Sequence, residues 1–349
     1  MKEWLAIAGL LVLIGALLVG LTACAVFNKN LTESTFVITD GFTSINIDTD
    51  MADISILPSS DGACRVISRD LEEIKYTATV EGDTLNIKAN DTRKWFGKMF
   101  NTHTPTLLVY LPENEYGTLT IDEDTGNIAV NHDFTFASVN ITLSTGNVSI
   151  TGVKSLGNAY VKVSTGNVLI DTMSCTDFSS EGSTGNIDLH GLIASGNVSV
   201  ERSTGYINIK NSTIGGNLDT ETSTGSNNAT DVVCNGSFTH EVSTGKSVLT
   251  NVTCQSFTSE GDTGNLTMTG VIASGNFDIE RSTGDVKFES CDAAEIYVEV
   301  DTGDVTGTLL SPKIFFVETD TGSVRVPEST TGGKCKITTD TGDVKISIQ

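Results

Sequence analysis

The sequence predicts an all-β fold, a single-stranded parallel β-helix (β-solenoid) whose coils are 19 or 20 residues long. The first observation is a Thr-Gly pair, mostly within Ser-Thr-Gly or Asp-Thr-Gly, that recurs twelve times at that interval. A constant period of this length indicates repeated coils, each of which buries its apolar face only when a neighbour stacks on it. Glycine supplies the positive φ of a tight corner, so we call these residues the corner glycines. They are Gly126, Gly146, Gly166, Gly185, Gly205, Gly225, Gly245, Gly264, Gly284, Gly303, Gly322 and Gly342.

The second observation is that alignment on the corner glycines gives three apolar columns. They lie seven residues before the corner and two and four residues after it. Apolar positions alternate with polar ones, which is typical of strands with one buried face. With strands about 4.8 Å apart, twelve coils predict a rod about 55 to 60 Å long. The column seven residues before the corner is Leu119, Val139, Ala159, Phe178, Val198, Leu218, Phe238, Phe257, Phe277, Ile296, Phe315 and Cys335.

Polar residues interrupt these columns in one part of the rod. Asn227 and Ser247 replace the aliphatic residue after the corner, and Thr220 and His240 replace one before it. A polar group in an apolar core costs free energy unless it finds a hydrogen-bond partner. We therefore expect the coils between residues 220 and 250 to be the least stable.

The chain divides into three predicted segments. Residues 1–27 are a transmembrane anchor or lipoprotein signal, residues 28–118 form an N-terminal β-strand cap region, and residues 119–349 form the Thr-Gly repeat β-helix. Helical periodicity is absent after residue 27.

The anchor has two alternative interpretations. The apolar run from Leu5 to Phe27 contains no charge and is long enough for a hydrophobic helix that crosses a membrane, with Lys2 on the cytoplasmic side. Leu21-Thr22-Ala23-Cys24 also has the form of a lipoprotein cleavage site, in which Cys24 would carry the lipid. The run exceeds the usual length of a signal peptide, which favours the uncleaved helix. Either alternative places the repeat domain outside the cytoplasmic membrane, at the cell membrane.

The predicted cap region contains several candidate strands. Ser44–Asp48 and Ala52–Pro58 are predicted strands around a degenerate corner, and Tyr76–Val80 and Asp83–Ile87 are a predicted hairpin. The segment Arg93–Phe100 is a basic and aromatic cluster. It is predicted to cover the open end of the β-helix, with contact to the nearby membrane as the alternative.

Composition limits the classes of partner. The chain has 21 Lys and Arg against 44 Asp and Glu, a net charge of −23. Phosphate contacts need clustered cations, so nucleic acid is excluded as the main partner, and so is anionic lipid. Seven cysteines without a Cys-x-x-Cys pair do not form the framework of a small secreted domain. The cysteines of the repeats are predicted to be buried free thiols, and a disulfide between Cys234 and Cys254 across adjacent coils is the alternative.

No catalytic constellation is evident. His103, His132, His190 and His240 are scattered, and neither a His-Glu-x-x-His nor a Gly-x-Ser-x-Gly motif occurs. We therefore predict no enzyme activity and no cofactor.

A calcium site is a weaker hypothesis. Asp301, Asp320 and Asp340 occupy one corner position in three coils, with Asp304 and Asp343 beside them. Their repulsion would be relieved by a cation. The calcium-binding nonapeptide repeat is absent, however, which favours solvated aspartates and no metal. Ice or lattice binding by the corner threonines would need two parallel columns, and the sequence has one.

Short strings in the N-terminal third, together with the serial Thr-Gly corners, carry a family resemblance. The strings are Ala52-Asp53-Ile54-Ser55-Ile56-Leu57-Pro58, Gly62-Ala63-Cys64-Arg65-Val66, Leu85-Asn86-Ile87, Lys94-Trp95-Phe96 and Val109-Tyr110-Leu111-Pro112. The chain thereby resembles the bacterial putative-adhesin family of β-strand repeat proteins, a domain of unknown function common in Firmicutes. Membership implies a membrane-anchored β-helical ectodomain on the cell envelope. It supplies no catalytic or ligand-binding residues.

The predicted function is surface interaction or adhesion by an envelope-anchored, non-catalytic β-helix with an unknown protein or glycan ligand on the solenoid surface. The alternative is a structural or stress-response component of the envelope that self-associates through its coil ends or contacts a membrane regulator.

Overall fold

The structure, a computed structural model, describes residues 31–71, 74–91 and 104–349. Every regular element in these residues is a β-strand, which confirms the predicted all-β solenoid. The hydrophobic segment 1–27, including Cys24, and the cluster Arg93–Phe100 lie outside the described residues. In the part that is described, no helix is long and apolar enough to cross a membrane.

The strands of the N-terminal part, up to the first Thr-Gly coil, are β1 (Leu31–Ile38), β2 (Ser44–Met51), β3 (Asp53–Pro58), β4 (Cys64–Leu71), β5 (Ile74–Glu81), β6 (Thr84–Asp91), β7 (Thr106–Leu111), β8 (Glu115–Thr125) and β9 (Ile128–Asn131). The central strands are β10 (Thr135–Thr145), β11 (Val148–Thr151), β12 (Lys154–Ser155), β13 (Ala159–Thr165), β14 (Val168–Asp171), β15 (Ser174–Cys175), β16 (Phe178–Thr184), β17 (Ile187–His190), β18 (Ile193–Ala194), β19 (Val198–Ile214), β20 (Leu218–Cys234), β21 (Ser237–Thr244) and β22 (Ser247–Cys254). The remaining strands are β23 (Ser256–Thr263), β24 (Leu266–Thr269), β25 (Ile272–Ala273), β26 (Asn276–Thr283), β27 (Val286–Cys291), β28 (Glu295–Thr302), β29 (Val305–Leu309), β30 (Lys313–Thr321), β31 (Val324–Arg325), β32 (Gly333–Thr341) and β33 (Val344–Ile348).

The Thr-Gly coils stack in parallel and in register. Val139 pairs with Leu119 on one side and with Ala159 on the other, and the same step of one coil recurs along the rod. Since identical positions face each other, every inward column becomes a continuous apolar stripe. This register is the one that the fixed period predicts.

One further coil precedes the first Thr-Gly corner. β2 pairs in parallel with β8, and β3 with β9, so that Ile45 faces Leu119 and Ile54 faces Ile128. Ala52 stands where a corner glycine would lie next to Gly126, and its nitrogen donates to the carbonyl of Thr125. The predicted strands around a degenerate corner are therefore present.

The other side of this coil is paired as well. β6 and β7 lie parallel to β2 and β3, and β5 forms the predicted antiparallel hairpin with β6. β4 pairs antiparallel with β7, and β1 with β4.

The C-terminal end departs from sequence order. β32 and β33 lie between the coil of β28 and β29 and the coil of β30 and β31, so the last coil in sequence is the second to last in space. Cys335 consequently faces Ile296 on one side and Phe315 on the other. The repeat pattern fits either neighbour equally well, so the period alone does not determine the spatial order of the last two coils. Phe315, now on the terminal coil, is only partly buried.

The core is a single apolar cluster that follows the rod. Phe238, Phe257 and Phe277 stack in one column, with ring centroids 5.4 and 5.9 Å apart. The four polar residues that interrupt the columns, at positions 220, 227, 240 and 247, point inward and are buried. The prediction that these coils are the least stable remains a prediction, and the structure shows that the polar groups on which it depends lie in the core.

The corner glycines lie against one another. Their φ values range from +120° at Gly185 to +159° at Gly322 and Gly342. A Cβ placed on Gly146 would overlap the carbonyl group of Gly126 in the preceding coil. Both the backbone conformation and the coil spacing therefore require glycine at this position.

Gly146→Ala is expected to lower the free energy of unfolding by about 2 to 3 kcal/mol, because the alanine must adopt a left-handed φ and push two coils apart. Denaturant titration measures the change. Gly41→Ala is the matched control, since a Cβ at Gly41 meets no atom within 4 Å. Equal midpoints for the two variants would contradict the close packing of the corners.

Candidate interaction surface

The outward side of the solenoid carries a row of glutamates four residues before the corner. Each pairs in register with the next, from β16 to β28. Neighbouring carboxylates are therefore held by strands about 4.8 Å apart. We call this row the Glu ladder, and it consists of Glu181, Glu201, Glu221, Glu241, Glu260, Glu280 and Glu299.

The first member of the Glu ladder is neutralised and the others are not. Lys162 Nζ lies 2.7 Å from Glu181 Oε1, and the Tyr160 hydroxyl also donates to Glu181. These two contacts lower the pKa of Glu181. The other six side chains are exposed and form no ion pair within the described residues.

Crowding of like charge is evident at the centre of the ladder. Partial desolvation of its carboxylate by the neighbouring coils raises the pKa of Glu241, although the side chain is exposed, and the carboxylates of Glu221, Glu260 and Asp219 raise it further. A cation beside these residues would remove part of that repulsion. At the C-terminal end, a groove of about 280 Å³ is lined by residues including Glu280, Glu299 and Lys336.

The surface beside the Glu ladder is polar and regular. The threonine that precedes each corner glycine is exposed and pairs with its copy in the next coil, for example Thr145 with Thr125 and Thr165. Ser or Asp occupies the preceding position of each coil. Hydroxyl groups therefore flank the carboxylates along the rod.

The predicted calcium candidates separate into two columns. Asp301, Asp340 and Asp320 follow one another in that spatial order and are exposed. Asp304 and Asp343 have a structural role instead. Asp304 Oδ1 accepts from the Asp343 backbone nitrogen at 2.8 Å, and Asp343 Oδ1 accepts from the Ser323 nitrogen at 2.8 Å. Among the described residues, no three His, Cys, Asp or Glu side chains are grouped so that they could hold a metal ion.

The described cysteines are buried free thiols, including Cys234 and Cys254. The disulfide between those two residues, which was the alternative prediction, is therefore not formed. Burial is the main cause of the raised pKa of each thiol, to about 12 for Cys254.

The described histidines do not form a catalytic site. His190 is exposed, and its Nδ1 lies 2.9 Å from Asp171 Oδ1. His240 Nδ1 lies 3.1 Å from Ser259 Oγ, but both residues are 0% exposed, so no substrate reaches the pair. His132 packs edge to face against Phe134.

The Glu ladder was missed in the sequence because only the inward columns and the corners were aligned. The signal was available, since the position four residues before the corner is Glu in eight coils that follow one another in the sequence, from Glu181 to Glu318. Charged residues on an outward column neither stabilise the core nor form the turn. Their repetition therefore indicates a role of the surface itself.

Three solved structures have a similar arrangement of the chain. A putative adhesin from Bacteroides fragilis is 12% identical, with 92% of this chain and 98% of that chain covered and a TM-score of 0.28. A putative cell adhesion protein from Clostridium sporogenes is 9% identical, with 92% and 100% covered and a TM-score of 0.21. A putative lipid binding protein from Parabacteroides distasonis is 12% identical, with 92% and 98% covered and a TM-score of 0.28.

No curated protein matches the sequence. A family model does match it, and covers nearly all of the described solenoid. The model of the family described as Toastrack DUF4097 matches residues 42–245 and 231–349. The resemblance that the sequence predicted is confirmed: the chain belongs to the Toastrack DUF4097 family.

Proposed function

We propose that this protein is an extracytoplasmic, envelope-anchored, non-catalytic β-solenoid that adheres to a protein or glycan ligand through its side. The observation that carries the proposal is the Glu ladder, a row of carboxylates of which six have no cationic partner within the described residues. Its charge favours a cationic partner, such as a basic protein surface or a glycan with free amino groups.

The rigidity of the ladder supports binding. Parallel pairing on both sides fixes the backbone of each glutamate, so only side-chain freedom is lost when a partner binds. A single exposed ion pair contributes at most about 1 kcal/mol. Several such pairs along one row act together, because each contact raises the effective concentration of the next.

Binding to chitosan-coated beads, which carry amino groups, tests this proposal. The triple variant Glu221→Gln, Glu241→Gln, Glu260→Gln is expected to lose about tenfold in affinity at low salt, since three adjacent carboxylates are removed. The control variant carries Glu→Gln at three exposed positions outside the Glu ladder, Glu113, Glu115 and Glu328. It changes the net charge by the same amount as the ladder variant.

The expected control retains wild-type affinity for the beads. An equal loss in both triple variants would mean that net charge, and not the Glu ladder, governs binding. Intact cells and mucin are then assayed with the same three proteins, so that the cationic probe is compared with a biological surface.

The proposed location rests on the apolar run of residues 5–27, which provides the membrane contact. Strands β1 and β4 to β7 are proposed to act as the N-terminal cap, since β6 and β7 pair with the outer side of the first coil. With this end paired, the solenoid is proposed to point away from the membrane as a single rod.

An uncleaved anchor is expected to leave the full-length mass in membrane-extracted protein. Cys24→Ser should then change neither processing nor mass, because Cys24 would be one residue of a hydrophobic helix. Intact-mass spectrometry and labelled palmitate in a bacterial host measure both properties. A diacylated product that begins at residue 24 would show instead that the anchor is a lipoprotein lipid.

Self-association through the free coil end is the second candidate function. Within the part of the chain that the structure describes, the terminal coil pairs on one side only, β30 with β32 and β31 with β33. Its Phe316 and Val324 side chains are 55% and 47% exposed. An open strand edge with apolar side chains favours pairing with another chain. A concentration-dependent assembly in size exclusion, abolished by Phe316→Asp, would favour this envelope scaffold over the adhesin.

A further inference from the structure

Two arginines lie inside the solenoid. Arg202 is 0% exposed and Arg281 is 4% exposed, and both stand three residues before a corner glycine, on an inward column. Each fits because the preceding coil has glycine at the same position. Gly182 pairs with Arg202, and Gly261 pairs with Arg281. A Cβ on either glycine would overlap Nη1 of its arginine.

The two arginines belong to two copies of one structural unit. In both copies a serine two residues before the glycine also points inward and is buried, Ser180 in the first and Ser259 in the second. The surrounding sequence repeats too, as Ser-Glu-Gly on one coil and Glu-Arg-Ser on the next. The copies can therefore be compared atom by atom.

The second unit has an internal acceptor. Arg281 Nη2 donates to Ser259 Oγ at 2.6 Å, and Ser259 Oγ lies 3.1 Å from His240 Nδ1. Because a guanidinium only donates, the serine hydroxyl accepts from Arg281 and gives its own hydrogen to Nδ1. His240 Nε2 then carries the ring hydrogen and lies 3.4 Å from the Asn227 carbonyl oxygen. The neutral imidazole thus accepts the serine hydrogen, and Arg281 Nε is the one side-chain nitrogen of this arginine without a partner among the described residues.

The first unit lacks that acceptor. Val161 faces Ser180 at the position where His240 faces Ser259. Arg202 Nη1 donates to the Val163 carbonyl at 2.8 Å, but no described protein group accepts from Arg202 Nε or Nη2 or forms a hydrogen bond with Ser180 Oγ. The Val161 side chain offers no hydrogen-bond acceptor at the position that His240 occupies in the second unit.

The charge of the first unit is unbalanced as well. The buried carboxylates among the described residues are Asp70 and Glu123, both in the N-terminal part of the rod. A buried guanidinium without a counter-charge is strongly unfavourable, and so is each buried donor without an acceptor. Arg202 Nε, Arg202 Nη2 and the Ser180 hydroxyl are therefore three buried groups on adjacent strands without a hydrogen-bond partner, and one of the two residues carries a positive charge.

We propose that the core beside Arg202 binds a small monovalent inorganic anion of the size of chloride, which accepts hydrogen bonds from Arg202 Nε and Nη2 and from the Ser180 hydroxyl. The anion supplies at the first unit the acceptor that His240 supplies at the second. Because Arg202 is fully buried, the anion enters during folding or local opening of the coils.

Thermal unfolding of the full-length chain in detergent tests the proposal. Sodium chloride is compared with sodium gluconate at equal ionic strength, since gluconate is too large for the site. Chloride is expected to raise Tm by about 3 °C or more, and the rise should follow chloride concentration, because the ligand binds only the folded state. Equal Tm values in the two salts would overturn the proposal.

Two variants separate the anion site from general salt effects. Val161→His installs the acceptor of the second unit and should fold with a Tm that no longer depends on chloride. Arg281→Met, which leaves the first unit intact, should keep the chloride dependence. A chloride response that persists in Val161→His would overturn the proposal.

Crystals of the wild-type protein grown in sodium bromide give a readout that needs no variant. An anomalous peak within hydrogen-bond distance of Arg202 Nε and Nη2 is expected. A water molecule at that position without anomalous signal would overturn the proposal.

Discussion

Phe257→Asp is expected to unfold the central coils of the solenoid. Phe257 is fully buried between Phe238 and Phe277. Removal of a buried phenylalanine costs about 3 to 5 kcal/mol, and a carboxylate without a partner in the same place costs several more. The free energy of unfolding should therefore fall by at least about 5 kcal/mol.

The loss should spread beyond one coil, because each coil of a repeat protein is stabilised mainly by its neighbours. Denaturant titration followed by circular dichroism measures it. Phe316→Asp is the matched control, since Phe316 is largely exposed on the terminal coil. The control should move the midpoint only slightly. An unchanged midpoint for Phe257→Asp would mean that the inward column is wrongly assigned.

Much of the fold could be predicted because the coils of the solenoid have a nearly constant length, which is visible in the sequence as a fixed period. The corner glycine, the column that contains Phe257 and the alternation of each strand all depend on neighbours one coil away, which one sequence reveals. The early strands Ser44–Asp48 and Ala52–Pro58 were found for the same reason, although Ala52 replaces the corner glycine.

The spatial order of the last coils could not be predicted, because it depends on competition between equivalent partners. Phe315 and Cys335 occupy the same column, and either could have faced Ile296. Periodicity specifies which positions face each other and leaves open which copy is the neighbour. The burial of Arg202 is similarly non-local, since it needs Gly182 on the preceding coil.

The sequence predicted the candidate surface less well than it predicted the fold. Acidic residues at the corners, such as Asp304, suggested a metal, yet the structure shows this carboxylate accepting a backbone N–H from the next coil. The Glu ladder makes no comparable backbone contact. The outward glutamates repeat with the same period as the inward apolar residues, so the sequence contains the pattern of this surface as well as that of the core.

Acidification is expected to destabilise the solenoid through His240. Burial and, next, the Arg281 guanidinium lower the pKa of this histidine to about 4. An unfolded histidine has a pKa of about 6.5, so the unfolded chain binds a proton at a higher pH than the folded chain. The contribution of neutral His240 to stability is thus fully present above pH 6.5 and is lost as the pH falls toward 4. The loss amounts to about 3 kcal/mol.

Another buried group has the opposite pH dependence. Burial raises the pKa of Glu123 to about 8, although Thr49 and the backbone nitrogens of Thr125 and Ala52 donate to its carboxylate. Its folded-state pKa lies above the unfolded value, so its contribution is present at low pH and is lost as the pH rises through 8. The pH profile of the wild-type protein alone therefore mixes two opposite effects.

A comparison with His240→Gln isolates the histidine, because Glu123 contributes equally to both proteins. Between pH 7 and pH 4, the wild-type protein should lose about 3 kcal/mol more of its free energy of unfolding than the variant, as measured by urea titration at each pH. Thr222→Val is the control and should keep the wild-type profile, since it changes a buried side chain of the same part of the rod and removes no titratable group. Parallel profiles for wild type and His240→Gln would show that His240 is not held neutral between Ser259 and Arg281, because a histidine that protonates equally in both states contributes no pH dependence.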